Sequence, residues 1–88
     1  MDADELARIE DTLVAAIAEA KVVVRRFGVG AQFREIVRHA REMHALFVEA
    51  MTANERLQTE YLCGLRVAAE NSIDYLEALA TMPDGKMQ

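Results

Sequence analysis

Breakers of regular structure are scarce in this 88-residue chain, and their placement limits what it can fold into. Between Met1 and Thr81 the one clustered break is Phe27-Gly28-Val29-Gly30, and the single proline, Pro83, comes near the end. Long stretches of helix-forming residues lie on either side of the cluster. In the first, Leu6, Ile9, Leu13, Ile17, Ala20, Val24 and Phe27 recur at spacings of three and four, which is one continuous helical stripe. Acids open that stretch and Lys21, Arg25 and Arg26 close it, in keeping with the helix dipole, and Asp2 or Asp4 can cap its start. Gly28 is a natural left-handed stop. The first helix is therefore expected over residues 3–27.

The chain restarts at Gly30-Ala31-Gln32, and Phe33, Ile36, Val37, Ala40, Met43, Phe47 and Met51 form the next stripe. Where this second helix ends is less plain. Residues 50–56 hold neither glycine nor proline, yet Thr52 followed by Glu55 has capping-box spacing. Beyond Leu57 the apolar face is wider and rotated. Two models follow. In one, a tight turn near 51–54 separates helices at about 31–50 and 53–82, giving a three-helix bundle. In the other, residues 31–82 are one helix of roughly 75 Å, against whose first half helix 1 folds back as a hairpin. Short mean helix length favours the turn, and the missing breakers favour continuity. Pro83-Asp84-Gly85 ends the last helix, leaving residues 83–88 as a frayed tail. The fold class is all-α on either model, in a single domain over residues 1–82.

Composition narrows the function. Hydrophobic residues make up 52% of the chain, but alanine supplies much of that and there is no tryptophan, which suits closely packed helices. A net charge of -5 argues against nucleic acid as a partner of the whole chain. The acidic start does not resemble a signal peptide, and no apolar run approaches the roughly 18 residues that span a bilayer. Cys63 is the only cysteine, so no internal disulfide forms. A cytoplasmic protein with no cofactor is expected.

No residue pattern amounts to a catalytic or metal site. Glu35, His39 and Glu42 share one side of helix 2 and form at most half a metal site, lacking the paired Glu-x-x-His motifs of di-iron bundles. His44 falls on the apolar face, where a core or interface role is expected. Cys63 has no base near it in sequence. Gly28-Val29-Gly30 follows a helix and lacks the Gly-Lys-Ser/Thr of a phosphate loop. A metal- or phosphate-handling domain built on His39 or His44 remains a minor alternative.

Charge layout says more. Residues 1–20 carry six acids and one base, residues 21–41 six bases and one acid, and residues 42–88 eight acids and three bases. Reversal at Gly28 gathers Lys21, Arg25, Arg26, Arg34, Arg38 and Arg41 at one end. Cations at the start of helix 2 oppose its dipole, so these arginines are expected to neutralise acids of helix 3 or of a second copy. The competing reading is an anion- or nucleic-acid-binding patch. The last helix is apolar over about half its circumference, more than the stripe somewhat over 100° that one neighbour needs. It is therefore expected to bind a partner protein or to pair as a homodimer, with Leu62, Leu65, Ile73, Leu76 and Leu79 as anchors.

The segment Ala53-Asn54-Glu55-Arg56-Leu57, with Gly64-Leu65-Arg66-Val67-Ala68-Ala69 and the Leu76/Leu79 stripe, resembles the C-terminal helix of FlgN-like flagellar export chaperones. That family comprises small, acidic, cytoplasmic helical proteins that hold hook–filament junction subunits. The resemblance covers about 30 of 88 residues. It implies a non-enzymatic, chaperone-like module whose partner sits on the apolar face of the last helix.

Overall fold

A computed structural model describes residues 3–82. Within them three α-helices run up, down and up: α1 over Ala3–Phe27, α2 over Ala31–Ala53 and α3 over Glu60–Ala80. No strand forms among the described residues, so the chain is an all-α three-helix bundle. It measures 44 × 19 × 16 Å, its long dimension close to the length of α1, about 37 Å for 25 residues. The α1–α2 seam is the most extensive and the α1–α3 seam the thinnest.

The first reversal forms as its residues dictate. Gly28 takes φ 78, the left-handed conformation that glycine adopts without a Cβ clash. Its N–H donates to the Val24 carbonyl at 3.0 Å, closing α1. Val29 turns inward and is buried, so the turn contributes to the core.

The second reversal corrects the expected boundaries. α2 runs to Ala53 and α3 starts only at Glu60, so the single long helix over 31–82 does not form. The capping box at Thr52 is not made. Thr52 Oγ1 instead donates back to the Val48 carbonyl at 2.9 Å, inside α2. The break falls on Asn54, whose extended backbone (φ -142, ψ 108) leaves the helical region. Its Oδ1 accepts from Arg56 N–H at 3.0 Å and starts one 3₁₀ turn, Glu55–Leu57. Gln58 Nε2 donates to the Met51 carbonyl at 3.1 Å, taking up an acceptor at the end of α2. Thr59 is the cap of α3, its Oγ1 accepting from Leu62 N–H at 3.1 Å. Three polar side chains thus do what glycine or proline does elsewhere. The resembling segment Ala53–Leu57 lies in this joint rather than on α3. α3 stops at Ala80, two residues short of the expected end, and Pro83-Asp84-Gly85, like the expected cap Asp2 and the tail, lies outside the described residues.

The core is one cluster. Leu13 and Ala20 of α1, Phe33, Ala40 and Phe47 of α2, and Ile73 and Leu76 of α3 are almost wholly inaccessible. Five buried alanines (Ala16, Ala20, Ala40, Ala50 and Ala69) sit in the same cluster and let helices approach closely. The stripes expected for α1 and α2 face the core, with Ile9, Ile36 and Met43 partly buried, except at Phe27, which ends α1 71% exposed.

Candidate interaction surface

The six bases have separate fates. α2 is antiparallel to α3, so the start of α2 stands beside the end of α3 and its cations serve the α3 dipole rather than their own. Arg34 donates through Nε to the Ala80 carbonyl at 3.0 Å and through Nη2 to that of Met82 at 2.8 Å, binding carbonyls that the end of a helix leaves open. Arg41 grips Glu77 with two hydrogen bonds, at 2.7 and 3.1 Å, and reaches Asp74 at 2.7 Å. Arg38 pairs with Glu35 on its own helix. Lys21, Arg25 and Arg26 stay exposed. An anion-binding reading therefore retains only the α1 end of the cluster.

The Arg41 hydrogen bonds hold the Glu77 carboxyl below the usual carboxylate range, against partial burial, which pushes it up. A depressed carboxyl stabilises the fold fully above its unfolded pKa and loses that contribution as pH falls through its folded one. Arg41→Ala is therefore expected to cost about 1 kcal/mol or less at neutral pH, because the pairs are partly exposed. The difference from the parent should close on acidification through the carboxylate range. Thermal melts of both proteins across pH check this, and a gap that does not change with pH would contradict it.

His44 is buried, and its Nε2 lies 3.2 Å from the Arg66 carbonyl. A carbonyl only accepts, so Nε2 carries the proton and His44 ties α2 to α3. His39 is exposed in an open α1–α2 cleft with Glu19, Glu35 and Glu42. No group of three or more His, Cys, Asp or Glu able to hold a metal forms among the described residues. Cys63 is half-buried in an α2–α3 crevice lined by Met51, Gln58 and Arg66, with no histidine in its lining. No described helix is long and apolar enough to cross a membrane.

The broad face of α3 divides in two. Ile73, Leu76 and Leu79, three of the five expected anchors, lie in the bundle's own core, with Ala69 beside them. A partner can reach those three only if the bundle opens. Leu62 and Leu65 are partly buried at its margin. The other half of the face remains outside. There Leu65, Ala68 and Ser72 of α3 form an apolar groove with Val14 and Ile17 of α1. Tyr61, 66% exposed, and Tyr75, 61% exposed, stand toward its two ends. The Tyr61 hydroxyl donates to Glu10 Oε2 at 3.0 Å, and this bond to a carboxylate raises its pKa above the usual tyrosine range. Sequence reasoning missed this groove because Val14 lies off the α1 stripe and Ala68 passes for core. The available signal was Gly64, Ala68 and Ser72, small residues at every fourth position of one helix.

No family model, curated protein or solved structure matches this chain.

Proposed function

We propose that the chain is a non-enzymatic, cytoplasmic helical interaction module, adaptor-like or chaperone-like, that docks a protein on the outer half of α3. The observation that carries this is the groove along Leu65 and Ala68, with an exposed tyrosine toward each end, on a helix whose Ile73, Leu76 and Leu79 are already internal. Rigid aromatic side chains around a shallow apolar strip are what an amphipathic helix uses as anchoring points. The part of the FlgN-like resemblance carried by residues 64–69 and by Leu76 and Leu79 falls on the same helix and is in keeping with this assignment. Ile73, Leu76 and Leu79 then hold α3 in place, while Leu65 and its exposed neighbours make contact.

A photocrosslinking side chain introduced at Ala68, in cells that normally make the protein, tests this. Covalent adducts are expected from position 68 and not from Glu49, which is exposed on α2. Equal yields at the two positions would remove the reading.

A further inference from the structure

Resting on the interaction-module reading, we propose that the occupant of the α1–α3 face is a second copy of the chain. The two copies lie antiparallel about a two-fold axis at the level of Ala68.

The face is self-complementary. Counted from Ala68, Gly64 and Ser72 are four residues away on either side, and Tyr61 and Tyr75 are seven. A two-fold axis through Ala68 exchanges each member of a pair with the other. It sets Tyr61 of each copy opposite Tyr75 of the other, with small residues between. Such self-matching is what an isologous interface requires.

Gly64 also favours close approach by a second helix. A glycine inside a helix is destabilising relative to alanine. A Cβ built at Gly64 meets nothing within 4 Å, so the lone bundle has no steric need for glycine there. A helix approaching closely from outside would need it.

Charge selects the direction. The α1 edge of the groove has Glu10 and Asp11 toward one end and Lys21 and Arg25 toward the other, with Val14 and Ile17 level with Ala68 between them. Antiparallel copies set the acidic end of each against the basic end of the other. Parallel copies would keep these two ends apart.

Sedimentation equilibrium of the purified full chain tests the proposal. At about 100 μM, within the range of weak specific association, the mass should be twice 9.8 kDa. Ala68→Arg should sediment as a monomer with unchanged helical circular dichroism. Gly64→Ala should raise the melting temperature of the monomer and weaken association. The double variants Lys21→Glu/Arg25→Glu and Glu10→Lys/Asp11→Lys should each self-associate about tenfold more weakly. Mixed one to one, they should recover wild-type association, because each charge reversal then meets its opposite.

A monomeric wild type, a dimeric Ala68→Arg, or a mixture no tighter than its components would each overturn the second-copy proposal. The two readings fail separately. A monomeric wild type whose position 68 crosslinks to a different protein removes the second copy and leaves the interaction module standing. A monomer with no specific crosslink removes both.

Discussion

Phe47→Ala is expected to lower the free energy of unfolding by about 3–5 kcal/mol. Phe47 sits in α2, is 0% exposed, and shares one buried cluster with Leu13 of α1 and Leu76 of α3. Truncation removes most of a ring from a close-packed interior and leaves a cavity that three helices can only partly close. A domain of this size has a total stability of roughly 5–10 kcal/mol. The loss therefore takes a large share of the whole, and the melting temperature should fall by roughly 15 °C or more. Phe27→Ala supplies the control. Phe27 continues the apolar spacing of α1 but ends that helix 71% exposed, so its truncation should change stability by no more than about 0.5 kcal/mol. Urea and thermal melts followed by circular dichroism measure both. Equal losses would contradict this division between core and surface.

That pair of phenylalanines shows how far the sequence could be followed. Apolar spacing locates α1 and α2 because burial against a neighbour leaves a period that composition alone cannot imitate. It does not say where a stripe stops facing the core, and Phe27 is one step past that point. The Gly28 turn was legible because a left-handed residue leaves a chemical signature. The second turn left none. Asn54, Gln58 and Thr59 break the chain through hydrogen bonds to particular backbone groups, and those bonds exist only once α2 has ended. Thr52 offered a matching cap signal and spends its hydroxyl inside α2 instead.

The arginine cluster was legible as a cluster but not in its purpose. Cations at the start of α2 look misplaced while α2 is considered alone. Their placement makes sense once α3 returns antiparallel and sets its open carbonyls beside Arg34 and its acids beside Arg41. The broad face of α3 follows the same logic. A half-circumference of apolar residues implies two neighbours, but periodicity cannot say which residues meet which. The boundary falls between Ile73, Leu76 and Leu79, which are internal, and Leu65, Ala68 and Tyr75, which line or flank the groove.

Leu76→Asp should therefore unfold the protein rather than merely release a partner. Leu76 is 0% exposed, so an aspartate there either carries its charge into an apolar interior with no cation provided or takes up a proton to enter it. Added to the loss of leucine packing, the penalty is about 5 kcal/mol or more, on the scale of the entire stability. The expected observation is loss of the cooperative melt and of most helical circular dichroism. Ala68→Arg introduces a charge on the same helix, eight residues earlier, where Ala68 faces solvent. Arginine is a good helix former, so at dilutions where both proteins are monomeric stability should stay within about 0.5 kcal/mol of the parent. Any loss of binding by Leu76→Asp would then report unfolding, whereas loss by Ala68→Arg with the melt intact would report the surface. If Leu76→Asp melts like the parent, the assignment of Leu76 to the core is wrong, and the broad face of α3 would be open to partners over its full width.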